Sequence, residues 1–351
     1  ALLSVLIATV LGGVVVADAA AQSRSADRGG ERRGGSSAKA EVRYPEATRT
    51  EPKGKASSKM GSKLQKLFAA YNKDDYEQTR TLADEIIAAA DANDYDRAVA
   101  NQLGSQAAYN LDDNVATIEY LKRAIALDQL DNNGHFQAMV MLAQLQLQEE
   151  QYAEGLANLD KYFAESKSHK PEEMVSKGQA LYQTEKYAEA IPVLKAAIAA
   201  AGEPKDSWSQ LLMASYAEAG QYAEAVKEAE ALAAKNPADK KTQINLASMY
   251  MQADQMDQAA AVMDKLRASG QLTEEREYKQ LYSIYANTEN KEKDVIAVIN
   301  EGLSKGILKP DYQVYLALAQ SYYYSDQIPQ AIEAWQKAAP LSPNGETYLN
   351  L

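Results

Sequence analysis

Imidazole and thiol chemistry are scarce in this chain. Its 351 residues include two histidines, His135 and His169, and no cysteine, which removes thiolate nucleophiles, disulfides, thiolate zinc centres and any metal site needing several imidazoles. Both histidines fall in polar stretches between amphipathic segments and read as surface or turn residues. Carboxylates occur in adjacent pairs, Glu149-Glu150, Glu172-Glu173 and Glu274-Glu275. General acid–base work needs one member of such a pair desolvated so that its pKa rises, and these pairs read instead as solvated helix ends. Asp128, Asp131, Asn132, Asn133 and Gly134 offer the oxygens of a calcium loop, but their spacing is wrong and Val140 stands where a bidentate Glu would close it. Nucleophile-elbow, phosphate-loop, zincin and dinucleotide fingerprints do not occur in the sequence. The reading is a chain with no catalytic residue, no metal and no cofactor.

Interaction chemistry remains, and a repeat carries it. One phrase returns as Asp75-Tyr76-Glu77-Gln78-Thr79, Gln151-Tyr152-Ala153-Glu154-Gly155, Lys186-Tyr187-Ala188-Glu189-Ala190, Gln221-Tyr222-Ala223-Glu224-Ala225 and Gln255-Met256-Asp257-Gln258-Ala259, with weaker copies centred on Thr117, Val295 and Ala331. Anchored on its last residue, it stands at 79, 117, 155, 190, 225, 259, 295 and 331, with spacings of 38, 38, 35, 35, 34, 36 and 36 residues. Such a period means stacked supersecondary units. Each unit holds two stretches with helical spacing, as in Trp208, Leu211, Leu212, Ser215 and Tyr216 followed by Tyr222, Ala225, Val226, Ala229 and Leu232. Small residues fall where the two helices of a unit would cross: Gly178 with Ala190, Ala247 with Ala259, Ala319 with Ala331. Breakers close units at Gly202-Glu203-Pro204, Asn236-Pro237 and Ser342-Pro343. Pro192 lies inside an expected second helix, where it should remove a backbone hydrogen bond and bend the helix slightly. The 38-residue spacings predict longer inter-repeat turns near 91–96 and 129–134. With 46% apolar residues rich in Ala, and 22 Tyr against 3 Phe and 2 Trp, the chain reads as all-α.

Over about residues 62–345 this pattern resembles the tetratricopeptide repeat, whose unit is a helix-turn-helix of 34 residues. The clearest copy runs from Leu212 through Tyr222 and Ala225 to Pro237, with Met213 in place of the usual small residue; Thr79 and Val295 also depart from the pattern. The resemblance implies a right-handed α-α superhelix, a solenoid of about eight repeats, with residues 346–351 opening a further one. In that family the first helices line a concave groove that holds peptides of partner proteins. Carried over residue by residue, the groove positions are Gln102, Gln106 and Tyr109; Gln144; Gln179, Tyr182 and Gln183; Gln210; Asn245, Ser248 and Gln252; Gln280; and Gln320 with Tyr323. This set is uncharged: amides donate and accept toward a peptide backbone, and Tyr adds flat contact area at low entropic cost. The plainer alternative is that Gln is simply a soluble helix former. The cationic carboxylate clamp of some family members is not matched, since only Lys241 falls near it.

Residues 1–17 form an apolar run ended by Asp18 and small residues, which reads as a signal peptide over 1–21 lacking its basic start; an uncleaved anchor is the alternative. Residues 22–61 read as a basic flexible linker rich in Gly and Ser. Ten Lys or Arg against five acids over 22–59, in a chain of net charge −12, leave residues 60–351 at −16. So acidic a body repels nucleic acid, whereas the linker offers weak electrostatic contact with an anionic membrane or cell-wall polymer, or serves as a plain spacer. The unit order and the segments LDKYFAES (159–166), SKGQALYQTEKYAEAIPVLKAAI (176–198), EPKDSW (203–208) and NEGLSKGILKP (300–310) are similar to periplasmic tetratricopeptide proteins that accompany TonB/ExbB/ExbD systems in Gram-negative bacteria. That likeness implies a non-catalytic periplasmic adaptor assisting TonB-dependent transport. The alternatives are a scaffold in outer-membrane assembly, pilus biogenesis or polysaccharide export, and a docking module for a catalytic domain beyond residue 351.

Overall fold

The computed structural model describes residues 42–343, and every regular element among them is helical. The signal segment, residues 22–41 of the basic stretch and the start of a ninth repeat lie outside the described residues. Sixteen α-helices come as eight pairs: α1 (Gly61–Tyr71) with α2 (Tyr76–Ala88), α3 (Asp94–Asn110) with α4 (Asn114–Leu127), α5 (Asn132–Gln148) with α6 (Tyr152–Ser166), α7 (Pro171–Gln183) with α8 (Tyr187–Ala200), α9 (Asp206–Glu218) with α10 (Tyr222–Lys235), α11 (Lys240–Gln252) with α12 (Met256–Ala268), α13 (Glu275–Ala286) with α14 (Glu292–Ser304), and α15 (Tyr312–Tyr324) with α16 (Ile328–Ala338). The chain divides into two compact units, one up to Thr184 and one from Glu185. Within each unit every helix packs on the next along the chain, which is the sequential packing of a tetratricopeptide solenoid.

The anchor residues explain the period. Thr79, Thr117, Ala190, Ala259 and Ala331 are fully covered at the start of their second helices, and Gly155, Ala225 and Val295 are buried likewise. Space there is short: a Cβ on Gly155 would stand 2.7 Å from Leu147 and 3.1 Å from the Ala143 carbonyl. Thr is accommodated at 79 and 117 because its hydroxyl donates to the carbonyl one turn back, of Asp75 at 2.7 Å and of Asp113 at 2.8 Å. Five residues before each anchor the backbone turns left-handed, at Asp74, Asp112, Glu150, Glu185, Gly220, Asp254, Asn290 and Asp326. The next residue then returns its N–H to the first helix, as Gln221 does to Tyr216 and Gln327 to Tyr322, both at 2.8 Å. Helix α8 runs unbroken through the exposed Pro192.

Longer turns do not absorb the two 38-residue spacings. The turns at 89–93 and 128–131 are no longer than that at 201–205; instead α3 and α5 run to 17 residues where α7, α9 and α11 have 13. The surplus is one added N-terminal turn. It is secured in α3 by a capping box between Asn93 and Asp96 and in α5 by Asp131, which accepts from the Gly134 N–H at 2.6 Å.

Residues 42–60 correct the expected flexible linker. They form a strap, turned at Pro45-Glu46 where the Ala47 N–H donates to the Tyr44 carbonyl at 3.3 Å, laid over these added turns and back to α1. Composition misleads because the strap needs no core of its own: Tyr44 is buried beside Phe136, Met139 and Tyr162, and Met60 sits in the cluster of Leu64, Leu67, Ile86 and Leu103. In the second unit a continuous cluster runs from Ala247 through Met263, Leu281 and Val298 to Trp335.

Candidate peptide-binding surfaces

The first-helix positions named from the sequence divide between the units. In the first unit Gln102 is half-buried, and Gln106 is buried with its Nε2 turned to the Met141 sulfur at 3.8 Å. Tyr109 packs on the Ile118 and Leu121 cluster. Gln144, Gln179, Tyr182 and Gln183 are half-buried, the last three spaced i, i+3 and i+4 on α7. In the second unit Gln210, Gln252 and Gln320 are exposed, and Asn245 and Ser248 are half-buried. Gln280 donates to Ser248 Oγ at 3.0 Å and to the Met251 sulfur at 3.6 Å. Tyr323 is 50% exposed and leans on the Trp335 ring at 5.6 Å. Thus Gln106, Gln280 and Ser248 spend hydrogen bonds joining one first helix to the next, Gln179 and Gln183 are half-buried, and Gln210, Gln252, Gln320 and Tyr323 are exposed.

Sequence reasoning missed a second surface, on the edge formed by the inter-repeat turns of the first unit. The Arg49 guanidinium is 8% exposed and donates to Asp128 Oδ1 at 2.8 Å, Asn132 Oδ1 at 2.7 Å and the Leu130 carbonyl at 3.0 Å. The oxygens that mimic a calcium loop therefore hold a guanidinium. Glu51 accepts from the Asn132 N–H at 2.9 Å, at the positive end of α5. Thr48 donates its N–H to the Glu165 carbonyl at 2.8 Å, and Ser57 donates its N–H to Asp96 Oδ1 at 3.1 Å. The Tyr44 ring lies 5.0 Å from that of Phe136, tilted by 59°, with Lys170 Nζ 4.9 Å over it. Gly54 permits the closest approach, since a Cβ there would meet Tyr95 at 2.4 Å. The one legible signal was charge, a basic stretch in an otherwise acidic chain.

Two expectations about titratable groups are corrected beneath this edge. His135 is not a surface or turn residue: it is 3% exposed in the added turn of α5. Burial, then the Arg49 charge and Lys161, push its imidazole down to about 4 against the opposing pull of Asp128. Glu172 is exposed as expected, but Glu173 is buried, accepting from the Tyr162 hydroxyl at 2.5 Å and Ser168 Oγ at 2.9 Å, with Lys170 at 3.5 Å. Burial and this carboxylate raise the Tyr162 phenol far above its usual range. In the third pair Glu274 caps α13 together with the buried Glu277, whose carboxylate pairs with Lys240 at 2.5 Å.

Two family models, both described as tetratricopeptide repeat, match residues 140–204 and 216–283. Among solved structures, that of Naa15/Naa10 bound to HypK-THB is similar in fold, with a TM-score of 0.50 and 15% identity over 84% of this chain; the match covers 52% of the other chain. A tetratricopeptide repeat protein from Parabacteroides merdae matches with a TM-score of 0.44 and 13% identity, over 73% of this chain and 96% of that one. The C-terminal part of a repeat-containing protein from Cytophaga hutchinsonii matches with a TM-score of 0.42 and 12% identity, over 82% and 98%. No curated protein matches the sequence.

Proposed function

We propose that this tetratricopeptide-repeat protein is a non-catalytic scaffold that binds extended segments of partner proteins on the first helices of its repeats. The observation that carries this reading is the group Gln179, Tyr182 and Gln183, spaced i, i+3 and i+4 on α7, uncharged and half-buried. An amide can meet both the N–H and the C=O of a peptide, and a phenol ring covers area without holding it by charge. Combined Gln179→Ala, Tyr182→Ala and Gln183→Ala substitution is expected to weaken partner binding by about 1–3 kcal/mol, the scale of a few lost interface contacts, with little change in melting temperature. Unchanged affinity in a folded variant, read by calorimetric titration, would remove α7 from the binding face.

The finer reading is a periplasmic adaptor that assists TonB-dependent transport, supported by the apolar stretch 1–17 and by the segments at 159–166, 176–198, 203–208 and 300–310. A photo-crosslinking residue placed at Gln179 in the native host should capture TonB, ExbB or ExbD. Capture of outer-membrane assembly or polysaccharide-export proteins, and of no transducer component, would replace that pathway while leaving the scaffold in place.

A further inference from the structure

The strap is held as a ligand is held. Its contacts come from three successive repeats: Asn93 and Asp96 at the head of α3, Asp128 to Asn132 from the end of α4 to the start of α5, and Glu165 in the last turn of α6 with Lys170 just before α7. Asn93 Nδ2 donates to the Lys55 carbonyl at 2.9 Å and the Glu165 carbonyl accepts from the Thr48 amide at 2.8 Å, so the edge reads extended backbone as well as side chains. Two pockets fix register. One takes the Tyr44 ring between Phe136, Tyr162 and Lys170, and the other surrounds the Arg49 guanidinium with acceptors. Charge joins the strap to the edge at two places, Arg49 with Asp128 at 2.8 Å and Lys59 with Asp91 at 2.9 Å, and the strap's five basic residues outnumber its two acids, Glu46 and Glu51. The added turns of α3 and α5, which the other first helices lack, supply Tyr95, Asp96, Asn132 and Asn133 to this contact.

We propose that this edge is a second peptide-binding site, distinct from the first-helix face, for a basic segment of a partner protein carrying Tyr and Arg five residues apart with a turn between them, and that residues 42–60 occupy it in cis. The occupant is argued from charge and from register: a guanidinium and an aromatic ring at this spacing meet both pockets, and a residue with a Cβ at position 54 would collide with Tyr95. Because the strap is joined directly to α1, it competes with any outside peptide at an effective concentration on the order of millimolar. The site is therefore gated: a partner segment must match the strap's chemistry, or the strap must first be drawn away.

The test uses the full chain. A fluorescent synthetic peptide of residues 42–60 is titrated against wild type and against a chain carrying Tyr44→Ala and Arg49→Ala, which empties both pockets. The double variant is expected to take up the peptide at least tenfold more tightly than wild type. The same peptide with Arg49→Ala should bind the variant at least tenfold more weakly, and added salt should weaken the unmodified peptide. Equal uptake by wild type and variant, equal binding of the Arg49→Ala peptide, or no uptake by a variant with native helical circular dichroism would overturn the proposal. Dimerisation of the variant without peptide uptake would assign the edge to a second copy's strap and would likewise overturn it. If the variant does not fold, amide exchange in wild type decides. The Thr48 and Ser57 amides must exchange through an opening that leaves α5 and α6 protected, and exchange of strap and helices at one common rate sinks the idea.

Discussion

At the residue scale, the repeat is written in two positions a fixed distance apart: a small buried anchor and, five residues earlier, a left-handed turn. The anchor is set by space, which is why Thr, Gly, Ala and Val all occur there while no longer side chain does. The turn is set by backbone, and only Gly220 meets it without cost; Asp and Asn tolerate it through their short polar side chains. Glu150 and Glu185 have no such excuse, at φ of 60° and 59°. Glu150→Gly should relieve about 1–2 kcal/mol of left-handed strain and give back about 0.5–1 kcal/mol in unfolded-chain entropy. The net expectation is a gain of about 0.5–1 kcal/mol, read as a higher urea midpoint at unchanged slope. A lower midpoint would mean that the Glu150 side chain makes a contact worth more than the turn.

At the scale of elements, the helices were legible because burial at every third or fourth residue repeats through eight copies, and a wrong guess at one boundary does not disturb the next. Thr79 and Val295 looked like departures and still mark helix starts. The added turns were not legible. A 38-residue spacing fits a longer turn or a longer helix equally well, and Asn93 with Asp96 had to be recognised as a capping box to decide between them. The strap was less legible still, since its Gly, Ser, Pro and Lys content matches an unfolded spacer, and its order comes largely from pockets contributed by residues 79 to 126 positions away. Of the first-helix positions, the pattern could not tell a half-buried Gln179 from a Gln106 that turns onto Met141. Because the strap is a separate element on a finished surface, Tyr44→Ala should free it without melting the helices. Trypsin cleavage after Arg49 is expected to accelerate at least tenfold while the helical circular dichroism melt moves little. A large drop in melting temperature together with unchanged cleavage would show the strap and repeats to be one cooperative element.

At the scale of the whole molecule, the two units differ in what holds them against acid. In the first, His135 is buried with its pKa at about 4, set by burial, Arg49 and Lys161 against Asp128. Its unfolded value is near 6.5, so between these limits the unfolded chain binds the extra proton and stability falls as pH falls. In the second unit Glu301 is held at about 2: burial alone would raise it, but hydrogen bonds from Arg267, Lys305 and Tyr278 outweigh that. Its contribution is complete above the ordinary carboxylate range and is lost only as pH falls toward 2, so acidification from pH 7 to about 4.5 leaves it standing. Both tryptophans, Trp208 and Trp335, are buried in the second unit, so their fluorescence reports that unit alone. Urea titrations at pH 7 and about 4.5 should therefore show a nearly constant midpoint by Trp fluorescence and an earlier loss of far-ultraviolet ellipticity at the lower pH. His135→Gln, which keeps a polar group in the α5 turn but cannot titrate, should shrink that gap. Coincident transitions at both pH values, or a gap that His135→Gln leaves intact, would show that the acid sensitivity of the first unit lies elsewhere than in the imidazole under the strap.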